Sequence, residues 1–390
     1  MPPDYLHNDF RKMSIRGDIP ALTGLRFIAA ASVVAFHAPL FGILPQNWYG
    51  KFQMMQGVSF FFVLSGFILQ YNYRDTISRI GFLRFISLRI AKIWPIHLAA
   101  LALYFVLIAG SLTFWWHAMS PWSFAAVFVL LQSWIPNPEV YFAMNGSSWT
   151  LSVELFFYAL FPLLCPIVRR SPGWTGVTSI AVVVTYALIL NHAAATSIDA
   201  TGFYSVLPIS RIAEFVVGAA VAEIRFSRRS PSLSSATATI IEVALLALVA
   251  AWNYLIGYSL DNASESVGIA LATLWKHAGS MPVFALLLYF YSYNKGKLSR
   301  ILASKPLVFL GQTSFALYIV QLPVMRFIGE HFSHGRIIAI TAASLFVVST
   351  AAHLIVEMPI YRVAKRALSK RPHPYSGNDQ MSGLRNVDPS

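Results

Sequence analysis

Charge is scarce in this chain. Only 12% of its 390 residues are Asp, Glu, Lys or Arg, while 56% are hydrophobic, against about 25% charged residues in an ordinary soluble domain. A soluble fold is excluded on that ground, and the chain reads as a polytopic membrane protein. Cysteine is almost absent. The single Cys165 rules out an internal disulfide framework, and its neighbours Leu164 and Pro166 put it in an apolar helix end, a poor place for a nucleophile. Acids are few as well, 16 against 29 Lys and Arg. Such an excess sometimes marks nucleic-acid binding, but here the positive residues fall in short clusters between apolar runs, the pattern that orients a membrane protein. No nucleic-acid partner is expected. Residues 1–20 lack an apolar core and carry Asp4, Asp9, Arg11, Lys12 and Arg16, so no cleavable secretory signal is expected there.

What remains is long apolar runs. Stretches able to cross a bilayer lie at about 22–44, 54–73, 90–110, 149–168, 175–191, 203–224, 237–257, 277–293, 306–328 and 337–358. The expected fold is therefore all-α, a membrane helical bundle of about ten transmembrane helices. The run Trp122–Trp134 is too short to cross and is expected to be a re-entrant or interfacial segment. With the N-terminus inside, the loops holding Arg74, Arg79, Arg84, Arg89 and Lys92, then Arg169 and Arg170, then Arg225, Arg228 and Arg229, then Lys295, Lys297, Arg300 and Lys305 all become cytosolic. Counting the short run as a span would invert the later loops against the positive-inside rule. The expected organisation is a cytosolic segment over 1–20, a membrane domain over 21–366 and a polar cytosolic tail without fixed structure over 367–390.

Polar groups inside the apolar runs are the candidates for chemistry, because ionisable side chains at bilayer depth normally face a protein interior or a wet cavity. The first run, LTGLRFIAAASVVAFHA, carries Arg26 and His37. Eleven residues at 100° each return the second side chain to within roughly 20° of the first, about 16 Å further along the axis. The two are expected to line one passage, at the reach of a long, thin substrate. In the second span Ser59, Ser65 and Gly66 suggest close helix packing. Arg79, Arg84, Arg89 and Lys92, ending in Trp94 and Pro95, suggest a cationic shelf at the inner surface for lipid head groups or a phosphate-bearing ligand.

The stretch SSWTLSVELFFY places Glu154 inside an apolar run, where a carboxylate needs a partner. Arg211 and Glu214 stand three apart and can pair with each other. Ser314, Tyr318 and Gln321 form one polar stripe, and Glu357, just before Pro359, is expected to cap its helix or pair with Arg362. Of the ten tryptophans, Trp48, Trp115, Trp116, Trp122, Trp134, Trp149, Trp252 and Trp275 fall toward the outer side of this topology. That asymmetry fits either an interfacial belt or indole faces packed on a sugar. Candidate substrate-binding residues are Trp149, Arg211, Glu214, Tyr318 and Gln321; no metal site is expected.

In order, these motifs resemble the bacterial acyltransferase 3 family of integral membrane acyltransferases, over roughly Ile19 to Lys365. The resemblance rests on Arg26 and His37, FFFVLSGFI, Arg84 and Arg89 with Pro95, SSWTLSVELFFY, RIAEFVVG, LGQTSFALYI and VEMP. It implies a multi-pass protein of the bacterial inner membrane and transfer from an acyl-CoA donor such as acetyl-CoA, with no permanently bound cofactor, to a carbohydrate hydroxyl. His37 would be catalytic, with Glu154 orienting it or gripping the acceptor. Arg26 would hold the donor, with Arg84, Arg89 and Lys92 at its phosphates. Separate glycan-assembly proteins would be partners. Two positions depart from the family pattern: Ser59 stands where an acidic residue is usual and Gln321 where a histidine is often found. The competing class is a secondary transporter or flippase that binds its substrate at Arg26, His37, Glu154 and Arg211. The lack of a visible internal repeat counts mildly against it.

Overall fold

The computed structural model describes residues 17–46, 48, 52–109, 120–193, 198–228, 230, 232–332 and 335–369. The expected segment before residue 17, Lys51, Trp115, Trp116, Arg229 and the tail from residue 370 lie outside them. The described residues form helices, and nine helices among them are long and apolar enough to cross a membrane. In chain order the main elements are α1 (Pro20–His37), α2 (Gly57–Tyr73), α3 (Phe82–Tyr104), α4 (Pro121–Phe128), α5 (Trp149–Arg170), α6 (Pro172–Ala193), α7 (Ile198–Val206), α8 (Ile212–Ser227), α9 (Ser235–Val267), α10 (Ile269–Ala278), α11 (Met281–Tyr291), α12 (Lys305–His331), α13 (Ile337–Ala351) and α14 (Met358–Ser369).

The helix carrying Arg26 and His37 forms as the sequence implies. Pro20 occupies its first turn, where a missing N–H costs nothing, and His37 is its last residue. Neighbouring helices approach it closely: a side chain at Gly311 of α12 would strike the Thr23 carbonyl at 1.9 Å. We call the end of the bundle holding Pro20 the near face and the end holding His37 the far face.

Three elements differ from the sequence expectation. The run at 203–224 is not one helix: α7 ends at Val206, a 3₁₀ turn covers Pro208–Arg211, and α8 follows with 16 residues. Pro208 explains the break, since it disfavours helical geometry at Leu207 and lacks an N–H to continue the ladder. By contrast α3 runs unbroken through Pro95 from Phe82, so Arg84, Arg89 and Lys92 sit on the spanning helix itself. Gly81, at φ 78°, separates them from Arg79 on the preceding turn. The expected surface shelf is thereby split, with Arg89 buried in the bundle at 7% exposure. Finally, the helix after α13 relaxes into a π turn over Ala352–Glu357 before α14.

The short run, expected to be re-entrant or interfacial, does not form a spanning helix. α4 is only eight residues long. It is tied well down the length of α3, where Trp94 Nε1 donates to the Phe128 carbonyl at 2.9 Å and the His97 ring meets the Val127 carbonyl at 2.9 Å. The chain then turns at Leu130, φ 62°, and returns to the far-face turn that opens α5, where Gln132 and Ser133 bond to Ser148 and Trp149.

Candidate functional site

Polar groups from four helices meet in a cleft of about 110 Å³ that enters from the near face. α1 contributes Arg26, α2 Ser65, α3 Arg89 and Lys92, and α5 Glu154 and Tyr158; Asp18 stands at the lip. Each arrives for a local reason. Arg89 and Lys92 are three apart on α3, and Glu154 and Tyr158 four apart on α5, so each pair shares a helix face. Within α5, Tyr158 donates to Glu154 Oε2 at 2.9 Å, which supplies the company that a carboxylate at this depth requires. Arg89 donates to the Tyr73 hydroxyl at 2.8 Å and the Tyr361 hydroxyl at 3.5 Å, and its guanidinium lies over the Tyr73 and Phe85 rings at 5.2 and 5.8 Å. Its Nε is buried without a hydrogen-bond partner among the described residues. Three cations, Arg26, Arg89 and Lys92, stand here against the two carboxylates of Glu154 and Asp18, an excess of positive charge that an anion would complement.

Glu357 departs from expectation: it pairs with His353, Nδ1 to Oε2 at 2.8 Å, rather than with Arg362. The π turn carries both residues, and its position beside α3 brings Glu357 into electrostatic range of Lys92. Sequence reasoning missed His353. The signal was present in the i, i+4 spacing of HLIVE, but nothing in the sequence revealed that this pair would sit beside Lys92.

His37 is elsewhere. It does not line the cleft, whose inner limit is set by Phe61 and Phe315. Between cleft and imidazole, Ala30 and Leu317 are buried with Phe27, Val34 and Phe61 packed against them, and the Phe61 and Tyr318 rings lie 6.0 Å apart. The single open passage expected between Arg26 and His37 is therefore closed by an apolar layer, because the α1 stripe between them offers only Ala and Val. At the far end the imidazole is flanked by Gln321 of α12 and the Val33 carbonyl. His37 and Glu154 are thus not brought together: Glu154 belongs to the cation cluster.

The remaining candidates divide. Tyr318 and Gln321 lie on the α12 face that separates cleft and far end, and both are buried. Trp149 is buried with its ring edge-on to Phe62 at 6.1 Å. Arg211 and Glu214 form a buried bidentate pair at 2.6 and 2.8 Å, away from the cleft lining. Arg211 also donates to the Ser205 and His277 carbonyls. Arg84 is half-buried at the start of α3 and outside the cleft lining. Ser59, on α2, is fully buried and its hydroxyl has no hydrogen-bond partner among the described residues.

Comparison with known proteins gives a consistent result. Residues 19–362 match the acyltransferase domain of the acyltransferase 3 family. The acyltransferase MdmB of Streptomyces mycarofaciens is 28% identical over 404 residues, covering 91% of this chain and 95% of that protein. No solved structure matches the chain.

Proposed function

This chain belongs to the acyltransferase 3 family, and from that premise we propose that it is an O-acyltransferase. In this reading it moves an acyl group, acetyl in the simplest case, from acyl-CoA to a hydroxyl of a carbohydrate. The observation that carries the donor half is the cleft uniting Arg26, Arg89 and Lys92. Arginine forks and an ammonium suit phosphate oxygens, and Glu154 and Glu357 both lie within electrostatic range of Lys92. The near face is assigned to the cytosol, where acyl-CoA is made. The apolar layer at Phe61 and Tyr318 admits the thin pantetheine arm and its acyl end once those side chains turn, while the charged nucleotide stays behind in the cleft.

At the far end the chemistry needs a base. The acceptor oxygen attacks the thioester carbonyl carbon, its proton passes to the His37 imidazole, and the carbon–sulfur bond breaks. The departing CoA sulfur then takes the proton from the imidazolium. The same balance holds if His37 first takes the acyl group itself, releasing CoA thiol, and then passes it to the hydroxyl. A positioned general base is worth about 10² to 10⁴ in rate.

Purified protein in liposomes, given labelled acetyl-CoA on the near face and a carbohydrate acceptor on the far face, tests this. Covalent label on the acceptor is expected, with a loss of about 10² to 10⁴ in His37→Ala at unchanged protein level. Full activity of that variant removes the assignment, and movement of an unmodified solute without transfer makes the protein a carrier.

A further inference from the structure

Between α1, α9 and α11 lies a second hollow, an apolar crevice of about 180 Å³ that contains neither Arg26 nor His37 and shares no lining residue with the cleft. Leu25 and Ala29 wall it from α1, Leu246 and Ala250 from α9 and Leu287 from α11. The α1 wall runs from Leu25 to Ser32 and the α9 wall from Leu246 to Asn253, about 10 Å along each helix. Ile28 and Phe52 at its edge are 49% and 40% exposed, so the crevice opens sideways, toward the bilayer. Its polar groups gather at one end. Ser32 and Asn253 close the two helix walls, and Gln53 and Gln56 join them from the 3₁₀ turn Met54–Gln56 and the residue before it, which lead into α2 from the far face. Gln56 Nε2 donates to the Lys276 carbonyl at 2.7 Å. A backbone carbonyl only accepts, so that bond fixes which way round the amide sits, and Gln56 Oε1 is left buried without a hydrogen-bond partner among the described residues. None of the described residues that line the crevice is ionisable.

These features define the occupant. A hollow that opens into hydrocarbon is filled by hydrocarbon, yet an apolar wall alone holds a chain no better than neighbouring lipid does, because lipid tails are as apolar as leucine. Selectivity must come from the polar end. The unmet atom there is an acceptor, and away from water an O–H donor relieves the cost of leaving it unpaired. A phosphate or carboxylate head would meet no cation among the described lining residues. We propose that the crevice is a binding site for an uncharged single-chain amphiphile of the far leaflet. Its chain lies between α1 and α9, and its hydroxyl donates to Gln56 Oε1, with Gln53 and Asn253 bordering the head. Ala29 and Ser32, against which it packs, stand about 60° and 120° round α1 from Arg26. The site therefore shares a helix with the cleft and is independent of the acyl-transfer reading.

The test uses the full chain in lipid nanodiscs and a monoacylglycerol that carries a photoreactive diazirine in its chain. Two matched probes have the same chain, one with both hydroxyls methylated and one with a phosphate on the head. Crosslinked peptides are mapped by mass spectrometry. The hydroxylated probe should label residues 25–32 and 246–253 about tenfold more than either matched probe, and unlabelled monoacylglycerol should compete in the unaltered protein. Ala250→Phe, which fills the crevice, should lower that labelling about tenfold, while Leu248→Phe, at an exposed position outside the lining, should leave it unchanged. Gln56→Leu should keep the chain labelling and abolish the preference for free hydroxyls. Labelling spread evenly over the exposed apolar helix faces, or untouched by both competitor and Ala250→Phe, overturns the site and leaves ordinary boundary lipid only. Equal labelling by the methylated probe, or stronger labelling by the phosphorylated one, overturns the assigned head chemistry and with it the proposal.

Discussion

Arg211 has five N–H donors and commits four of them inside the protein, two to Glu214 and one each to the Ser205 and His277 carbonyls. With exposures of 2% and 0%, the pair joins α8 to the turn before it and to α10, and little of its charge is left to offer a substrate. Removing one partner of such a pair strands a buried charge, at a cost of about 3 to 5 kcal/mol, whereas replacing both by apolar residues is often neutral. Glu214→Ala should therefore lower the detergent-solubilised unfolding midpoint sharply, and Arg211→Met with Glu214→Leu should restore much of it. If the double variant folds well but the single variant does too, the pair is not structural. The sequence spacing of three was enough to read this partnership. His353 and Glu357 stand only four apart in sequence, yet the meaning of that pair depends on Lys92, some 260 positions earlier in the chain, and on a π turn that no local pattern announced.

At the level of elements, the α2–α8 crossing sets how tightly the bundle closes around the cleft. The helices run side by side and touch backbone to backbone: a Cβ at Gly66 would sit 1.8 Å from the Phe215 carbonyl oxygen, and one at Gly218 1.8 Å from that of Val63. Close approach of this kind is the usual use of small residues between membrane helices. Neither carbonyl can swing away without breaking its own helix. Gly66→Ala or Gly218→Ala should thus push the helices apart, costing about 1 to 3 kcal/mol as overpacking. Since Ser65 lines the cleft from the next position, donor binding should weaken as well. Thermal unfolding in detergent and acyl-CoA binding measure the two effects; a variant unaltered in both removes the crossing from the account. Gly66 was legible as a packing residue, but its partner was not, because the break at Pro208 hid where α8 begins. The continuity of α3 through Pro95 was hidden for the opposite reason: proline usually ends a helix, and here the turn around it tolerates the missing hydrogen bond.

Across the whole molecule, the loop cations that the positive-inside rule assigns to one side do converge on one end. Arg169 meets Asp75 at 3.3 Å, Arg74 meets Glu223 at 3.1 Å, Arg225 lies over the Tyr293 ring at 3.8 Å, and Arg300 bonds Ser235 at 2.6 Å. The same end holds the mouth of the cleft; in the proposed reading this one electrostatic asymmetry marks the cytosolic side and would draw an anionic donor to the entrance. Alternation of the spans was readable from hydropathy and charge; the closed layer between Arg26 and His37 was not, because helical periodicity fixes which face a residue takes and leaves open what packs against it. Orientation and cleft access can be checked together. In a Cys165→Ala background, Ser65→Cys reports the cleft and Gln46→Cys, on an exposed far-face loop, reports the opposite side. With a membrane-impermeant maleimide, Ser65→Cys should label in everted vesicles only and be slowed by acyl-CoA, while Gln46→Cys should label in right-side-out vesicles only and ignore it. Reversed labelling would turn the near face outward and leave the donor on the wrong side of the membrane. Protection of both positions by acyl-CoA would mean that the donor enters from neither end alone, and the division of labour between cleft and imidazole would have to be abandoned.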